Sequence, residues 1–374
     1  MGSVSAAEWD GLFGGDNPFL RHDFLEALEA TACVSPETGW TPQHLVLRRE
    51  GVVAAAMPLY LKSHSQGEFV FDWAWAEAYA RHGLAYYPKL LTAVPFTPST
   101  GPRIACAEGV GLSDVATAVV AAVRERAESL GASGWHLLFP GRDLREAVAA
   151  QGLHARHDVQ FHWRNRGYDD FEAFLSRLRA SRRKSIRKER KQVSRAGIQV
   201  RRIAGDALGD REWDAFFRCY RHTYLRRSGH GGYLDRGFFQ RLRQTMPESL
   251  MLVVAERGDR LLASALFLRD SRRLYGRYWG ALEQVDCLHF ECCFYQGIEY
   301  CIEQGLEVFD PGTQGEHKLL RGFEPTETTS LHWLRDPRFH AAIGDYLRRE
   351  RSGVREYAQQ AGALLPFHRD RQKP

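Results

Sequence analysis

Residues 252–270 read LVVAERGDRLLASALFLRD, and residues 44–62 read HLVLRREGVVAAAMPLYLK. Each stretch has a glycine turn between two runs of β-forming residues, which predicts a β-hairpin. The two stretches also share their spacing, because leucines stand eight and ten residues after both Gly51 and Gly258. One structural unit is therefore expected to occur twice in the chain.

A second interval repeats near the end of each copy. A tryptophan follows Gly152 by eleven residues in the first copy, and another follows Gly322 by eleven in the second. The period of roughly 200 residues is far longer than that of a solenoid repeat. The intervals predict two tandem domains, one over residues 1–165 and one over residues 166–374.

Length and composition are those of a globular protein. The 374 residues are 44% hydrophobic and 12% aromatic, enough to fill two cores. The seven cysteines form no CxxC pair or Cys/His ligand spacing, so we expect no disulfide frame and no metal site. We expect a cytoplasmic protein without a transmembrane segment, since it has neither a basic, apolar N-terminal leader nor an apolar run near the ~18 residues of a span.

The second copy can be divided into elements by turn signals and periodicity. It is expected to begin with two aromatic-rich helices around residues 213–224 and 238–242 and to end with a helix at about 338–362. Between these helices, the patterns predict strands at 250–256, 261–268 and 274–282, a helix at 288–303, a strand at 306–309, a short helix at 316–321, and a strand at 328–334.

The first copy follows the same order but carries an insertion. Its predicted elements are strands near 44–49, 52–61 and 68–75, a helix at 114–130, a strand at 135–139, a helix at 144–150, and a strand at 160–163. The insertion, residues 73–113, is rich in aromatic residues, and loops of that length are usually lids or binding walls. The alternative function of the insertion is to cover the interdomain seam, and the two functions are compatible. The residues that we expect to contact an acceptor are Asp72, Tyr79, Tyr86, Tyr87, Lys89 and Arg103.

This order of elements is that of the GNAT acyltransferase fold, and several motifs resemble its FemAB-like branch. They include VQFHWRN from Val159, LYGRYWG from Leu274, LHFECCFYQGIEY from Leu288 and PGTQGEHKLLRGF from Pro311. The resemblance implies an α/β fold with mixed sheets and two tandem GNAT-like domains. It also implies transfer of an acyl or aminoacyl group to an amine on a small molecule or a peptide.

Amide formation by direct attack needs a free amine, an activated carbonyl, a donor for the oxyanion and a proton acceptor. In the second copy the reaction is expected in a gap between residues 277–280 and 308–310. Glu316, His317 and Glu291 are the candidate proton acceptors, although Glu316 could instead only complement its helix dipole. The candidate donor-binding residues are Arg277, Tyr278, His289, Gln314, Lys318 and Arg321.

Two features of the sequence predict the acyl donor: a phosphate-binding turn is missing, and one segment is strongly basic. Acyl-CoA-using GNAT proteins carry a glycine-rich phosphate turn after the third strand, and here that segment reads GALEQVDCLHFE. The string RRSGHG at residues 226–231 fits the pattern but precedes the three strands predicted at 250–256, 261–268 and 274–282, which form an antiparallel meander, so we interpret it as coincidental. The missing turn favours aminoacyl-tRNA over acyl-CoA as co-substrate, with no tightly bound cofactor.

The segment 177–195 carries ten basic residues and one acid, a net charge of +9 in a chain of +5. Its spacing predicts a docked helix that presents cations, which suits a polyanion such as tRNA. A solvated face or attraction to anionic lipid remains an alternative. The residues expected to bind the polyanion are Arg183, Lys184, Arg187, Lys188 and Lys191.

A rival interpretation is a non-catalytic recognition protein that keeps the same cleft for a peptide or a cell-wall precursor. It would bind an amine-bearing ligand without transferring a group to it. Turnover of a candidate acceptor distinguishes the two classes.

Overall fold

The computed structural model describes residues 1–313 and 315–368, so the predicted donor-binding residue Gln314 lies outside the described residues. The chain forms two compact units. Unit 1 comprises Met1–Val159 and Glu327–Tyr357, and unit 2 comprises the described residues of Gln160–Thr326 and residues 358–368. The units are therefore not the consecutive ranges 1–165 and 166–374.

Fourteen strands occur in the described residues. They are β1 Trp40–Pro42, β2 Leu45–Arg49, β3 Val52–Met57, β4 Tyr60–Lys62, β5 Lys89–Thr92, β6 Ala105–Cys106, β7 Gly134–Leu138, β8 His154–Arg164, β9 Gln199–Ala204, β10 Leu250–Arg257, β11 Arg260–Arg269, β12 Arg273–Ala281, β13 Val308–Asp310 and β14 Glu324–Leu334.

The helices complete the two units. They are α1 Ala6–Phe13, α2 His22–Ala30, α3 Trp73–Arg81, α4 Leu112–Ser129, α5 Arg142–Ala147, α6 Phe171–Ser176, α7 Ala180–Arg195, α8 Asp210–Ser228, α9 Arg236–Thr245, α10 Leu288–Phe290, α11 Gln296–Glu303 and α12 Pro337–Ala363. A π-helical turn, Glu291–Tyr295, joins α10 to α11, and a 3₁₀ turn spans Glu316–Arg321.

Unit 1 is built on a mixed sheet in the order β1-β4-β5-β7-β14, with a smaller sheet β2-β3-β6. Strand β7 runs parallel to β5 and antiparallel to β14. The apolar stripe of α4 buries Val120 and Val123 in a core with Leu90 and Trp135, all at most 1% exposed. Burial of this stripe supplies much of the unit's stability.

Unit 2 contains the predicted meander in a sheet of order β8-β13-β12-β11-β10-β9. Strands β10, β11 and β12 pair antiparallel, as the glycine turn of residues 257–259 dictates. Strand β13 then pairs parallel to β12, but only from Arg273 to Tyr275 on the β12 side. The sheet is therefore open beyond Tyr275.

The last strands of the two sequence copies are exchanged between the units. Trp163, expected to end the first copy, pairs through β8 with Phe309 in unit 2. Trp333, expected to end the second copy, pairs through β14 with Trp135 in unit 1. Each unit thus completes its sheet with the strand that the repeat assigns to the other copy.

The prediction of a strand at 68–75 is wrong. Trp73–Arg81 forms α3, because Tyr79 stands four positions after Trp75 and both side chains are buried on one helical face. The third strand beside β4 comes instead from the insertion, as β5. Pro58 also ends β3 early, so that the predicted strand 52–61 becomes β3 and β4.

No helix within residues 1–313 and 315–368 is long and apolar enough to cross a membrane.

Packing of β12 on α8 gives a testable stability prediction. A methyl group at Gly280 would lie 2.1 Å from the carbonyl carbon of Cys219 on α8, so Gly280→Ala should destabilise the protein by roughly 1–3 kcal/mol or more. Gly353→Ala on α12 is the control, since nothing lies within 4 Å of its added carbon and removal of a helical glycine stabilises by roughly 0.5–1 kcal/mol. Thermal unfolding should show midpoints that move in opposite directions; equal midpoints would contradict this packing.

Candidate active site

The opening between β12 and β13 is fixed by an ion pair. Arg277 donates to Asp310 through Nη2 at 2.8 Å, and the backbone N–H of Gly312 donates to the same carboxylate at 2.9 Å. Burial would raise the pKa of Asp310, but Arg277 and His162 hold it well below its ordinary value. Arg277, predicted to bind the donor, therefore holds Asp310 at the end of β13.

His162 faces the same carboxylate and was missed by the sequence analysis. Its Nε2 lies 3.8 Å from Oδ1 of Asp310 and 3.1 Å from Oε1 of Gln160. Burial lowers the pKa of His162 to about 4, so its imidazole is neutral near pH 7. The VQFHWRN motif contains this residue, but its spacing gave no indication of its partner.

Lys318 places a cation beside the opening. Its side chain is buried, and Nζ donates to the carbonyl oxygen of Gly312 at 2.6 Å. Burial lowers the pKa of Lys318 to about 8, with Arg277 lowering it further and Asp310 opposing. A partly desolvated ammonium in this position can stabilise a developing negative charge.

Arg321, predicted to bind the donor, is held by several groups of unit 2. It donates to the hydroxyl of Tyr295 and to Glu189, each at 2.8 Å, and to the carbonyl oxygen of His317 at 2.9 Å. Its guanidinium lies 3.5 Å from the ring centroid of Phe290. Because these contacts engage the whole group, Arg321 positions the 3₁₀ turn.

His317 and Glu316 lie exposed at the start of that turn. The ring of His317 lies 5.5 Å from that of Phe294 and 6.1 Å from that of His289. Partial burial, Lys318 and Arg321 lower the pKa of His317. The imidazole is therefore neutral near pH 7 and can accept a proton.

The backbone before His317 requires a glycine. Gly315 has a φ of +111°, and an added Cβ would lie 2.1 Å from Cε1 of His317. Glycine adopts this conformation without steric cost. The QGEHK motif therefore keeps room for the imidazole.

Glu291 is not placed as a proton acceptor. Both of its oxygens accept from Arg190 at 3.1 Å, and Oε1 also accepts from Gln296 at 2.7 Å. Arg190 continues to Glu299 at 3.0 Å. These bonds fasten α7 to the helix that begins at Leu288, so Glu291 has a structural role that the sequence did not reveal.

A groove of about 500 Å³ opens beside Trp279 and His289. Arg226 and Arg227, from the string that the sequence interpretation treated as coincidental, also line this groove. Burial, then the charges nearby, lower the pKa of His289 to about 3, so it is neutral. The predicted donor-binding residue Tyr278 is instead buried; its ring packs on those of Tyr220 and Phe239.

Three of the five residues predicted to bind a polyanion are exposed lysines of α7. Lys184, Lys188 and Lys191 are exposed, and within the described residues none has a salt-bridge partner. Arg187 pairs with Glu172, and Arg183 donates to the carbonyl oxygen of Leu178 at 3.2 Å. The lysines and the exposed Arg179 and Arg195 form what we call the basic stripe.

Unit 1 buries a charged cluster where acceptor contacts were expected. Lys89, which is 0% exposed, donates to Ser65 at 2.8 Å, Glu68 at 2.7 Å and Asp72 at 2.5 Å. Burial would raise the pKa of Asp72, yet Lys89 and His136 bring it down to about 2. Burial and the charge of Asp72 raise that of Glu68 to about 7, against the effect of Lys89.

A chain of hydrogen bonds leads into this cluster. Tyr86 donates to Asp72 at 2.7 Å, and its oxygen lies 3.2 Å from Nε2 of His136. Nδ1 of His136 lies 2.7 Å from Nδ1 of His332, whose Nε2 lies 2.8 Å from the hydroxyl of Ser330. With both imidazoles neutral, one direction satisfies every group: Ser330 to His332, to His136, to Tyr86, to Asp72.

The other predicted acceptor residues have separate contacts. Tyr87 is half-buried and bonds to Ser65 at 2.8 Å. The ring of Tyr79 packs 4.0 Å from that of Phe339. Arg103 is buried and donates to the carbonyl oxygen of Leu138 at 2.9 Å. Of the six residues only Tyr87 keeps an exposed part; the others stabilise unit 1 from within.

No group of three or more His, Cys, Asp or Glu side chains within the described ranges could hold a metal ion.

The sheets of this chain are similar to those of several solved structures. FemX is 13% identical, covering 86% of this chain and 93% of its own, with a TM-score of 0.50. The C-terminal domain of a putative lysylphosphatidylglycerol synthetase from Agrobacterium fabrum is 11% identical over 89% of this chain and 92% of its own, with a TM-score of 0.53. L-PGS from Bacillus licheniformis is 10% identical over 87% and 96%, with a TM-score of 0.50. At these identities the likeness shows the fold.

The opened parallel pair and the helix that begins beside it are features of the GNAT-like fold. The model of the FemAB-like family, described as peptidoglycan biosynthesis/recognition, matches residues 1–369. The chain therefore belongs to the FemAB-like family. No curated protein matches it in sequence.

The charged cluster of unit 1 yields a stability prediction. Lys89→Met leaves two buried carboxylates without their cation, and loss of one partner of a buried ion pair costs about 3–5 kcal/mol. Adding Glu68→Gln and Asp72→Asn to Lys89→Met removes the unpaired charges and should restore part of that loss. Thermal unfolding at pH 7.5 tests both; a Lys89→Met protein that melts like the wild type would show that the cluster is not a buried ion pair in solution.

Proposed function

We propose that the protein is an N-acyltransferase that forms an amide between an aminoacyl group and the amine of a small molecule or peptide. The observation that carries the proposal is the open end of the β12–β13 pair, where the buried cation of Lys318 lies on the same 3₁₀ turn as the neutral imidazole of His317. These are the oxyanion donor and the proton acceptor that direct attack needs.

The reaction follows from these roles. The amine nitrogen attacks the carbonyl carbon of the donor ester, and the carbonyl oxygen becomes an oxyanion next to Lys318. His317 takes the proton that the attacking nitrogen loses. When the tetrahedral intermediate collapses, the bond between carbon and the ester oxygen breaks, and that oxygen receives the proton from His317 and leaves as a hydroxyl.

The donor is proposed to be aminoacyl-tRNA, used in the cytosol where charged tRNA is made. The basic stripe supports this choice, since Lys184, Lys188 and Lys191 follow one another along α7 and remain without carboxylate partners within the described residues. A run of exposed cations on a rigid helix suits the regular phosphates of a nucleic acid. The missing phosphate turn favours the same donor over acyl-CoA.

The basic stripe predicts salt-dependent retention of tRNA. Lys184→Ala with Lys188→Ala should weaken tRNA binding and reduce the slope of log affinity against log salt by about 1–2, because each phosphate contact releases counterions. Filter binding between 50 and 200 mM salt measures this. The control is Arg272→Ala with Arg273→Ala, which removes the same charge from exposed positions at the start of β12. Equal slopes in all three proteins would refute tRNA contact by α7.

His317 predicts a pH profile. Because the pKa of His317 lies below its ordinary value, the wild-type rate should be highest between about pH 7 and 8 and fall at lower pH as the imidazole gains a proton. The rate should also fall at higher pH as Lys318, whose pKa is about 8, loses its charge. His317→Ala should lower turnover by about 10²–10⁴-fold, and the rate of this variant should no longer fall at low pH through protonation of the imidazole. Glu316→Gln should have a smaller effect on turnover. Mass spectrometry of amides formed from mixed aminoacyl-tRNA and cell metabolites measures turnover, with exposed His82→Ala as control. An unchanged rate in His317→Ala would exclude this base.

A further inference from the structure

The groove beside Trp279 contains features that the proposed reaction does not use. It is lined by three structural parts of unit 2: the end of α8, the end of β12, and the connection of residues 283–290. Its volume of about 500 Å³ is within the range of small-ligand sites. No step of the amide chemistry involves Arg226, Arg227 or Trp279.

The end of α8 is fastened so that two arginines face this groove. The backbone N–H of Ala281 donates to the hydroxyl of Thr223 at 3.0 Å, and the ring of His222 bonds to the carbonyl oxygen of Ala281 at 2.8 Å. Arg226 and Arg227 stand three and four residues after Thr223, on the same helical face. Both are exposed, and in the described part of the chain neither has a salt-bridge partner.

Trp279 supplies an aromatic surface next to these cations. Its ring packs 5.4 Å from that of His289 and remains partly exposed. An exposed aromatic ring beside unpaired arginines is the usual combination for a nucleotide, whose base stacks and whose phosphate binds guanidinium.

Two acidic residues of the same lining limit the charge of the ligand. Glu283 is neutralised by Arg260 at 2.7 Å and Arg257 at 3.5 Å. Asp286 is exposed, and its carboxylate accepts a bond only from the neutral Gln192 at 3.4 Å within the described residues. A ligand with several phosphates would be repelled by Asp286, whereas one phosphate can lie at the arginine side.

We propose that this groove is a subsite for the adenosine 5′-phosphate end of the acyl donor, with Trp279 stacking on the base and Arg226 and Arg227 binding the single phosphate. This inference rests on the proposed function, since the terminal nucleotide of every aminoacyl-tRNA is an adenosine with one phosphate on its 5′ side. The adenosine of coenzyme A carries a pyrophosphate and a third phosphate, so it fits the charge of the groove less well.

Titration calorimetry with adenosine 5′-phosphate alone tests the subsite without tRNA or acyl group. The wild type should bind it more tightly than ribose 5-phosphate, which lacks the base, and more tightly than coenzyme A. Arg226→Ala with Arg227→Ala should weaken binding about tenfold or more, and Trp279→Ala by roughly five- to a hundredfold, with Trp279→Phe retaining most of it. Exposed Arg218→Ala, on α8 but away from the groove, is the control.

Several outcomes would overturn the subsite. These are no binding of adenosine 5′-phosphate, equal binding by the double arginine variant, and tighter binding of coenzyme A. A second arm compares intact tRNA with tRNA that lacks its 3′-terminal adenosine. Equal retention of both tRNAs, still dependent on Lys184 and Lys188, would remove the subsite and leave the proposed donor; nucleotide binding with no retention of any tRNA would remove the donor instead.

Discussion

The constraint on which the site depends is the early end of the pairing between β12 and β13. Three residues pair, and after Tyr275 and Asp310 the strands no longer hydrogen-bond to each other. The Arg277–Asp310 ion pair, whose side chains are 3% and 4% exposed, holds the edge of the opening. Because removal of one partner of a buried pair leaves the other charge uncompensated, loss of Arg277 or of Asp310 would destabilise this edge. The turn that carries His317 and Lys318 follows within eight residues of Asp310.

Local patterns predicted unit 2 well, and long-range partners explain what they missed. Alternation and glycine turns specify β10, β11 and β12, and fourfold spacing specifies the helix from Leu288 to Glu303. The insertion of unit 1 has no such guide, because Trp73–Arg81 is aromatic enough to suggest a strand yet buries one helical face. The exchange of β8 and β14 could not be predicted, since either strand satisfies the same alternating pattern against either sheet.

For the site residues too, the local sequence identified candidate residues but not the partners that contact them in the fold. Ionisable residues near the predicted gap all looked functional, but Glu291, Arg277 and Arg321 are engaged by partners that include Arg190 and Glu189, more than a hundred residues away in sequence from Glu291 and Arg321. Conversely, Arg226 and Arg227 were set aside because they precede the meander. The hydrogen bond between Thr223 and Ala281, which brings them to the groove, leaves no signal in the sequence.

The exchanged strands have a consequence for synthesis on the ribosome. Unit 2 can complete its sheet once residue 326 has emerged, because β8 precedes its other strands. Unit 1 begins first but finishes last: the edge of β7 that takes β14 stays unpaired until Leu334 leaves the exit tunnel. An exposed strand edge templates association with other chains. The nascent N-terminal unit therefore keeps this edge of β7 without its final partner while the whole of the other unit is being made.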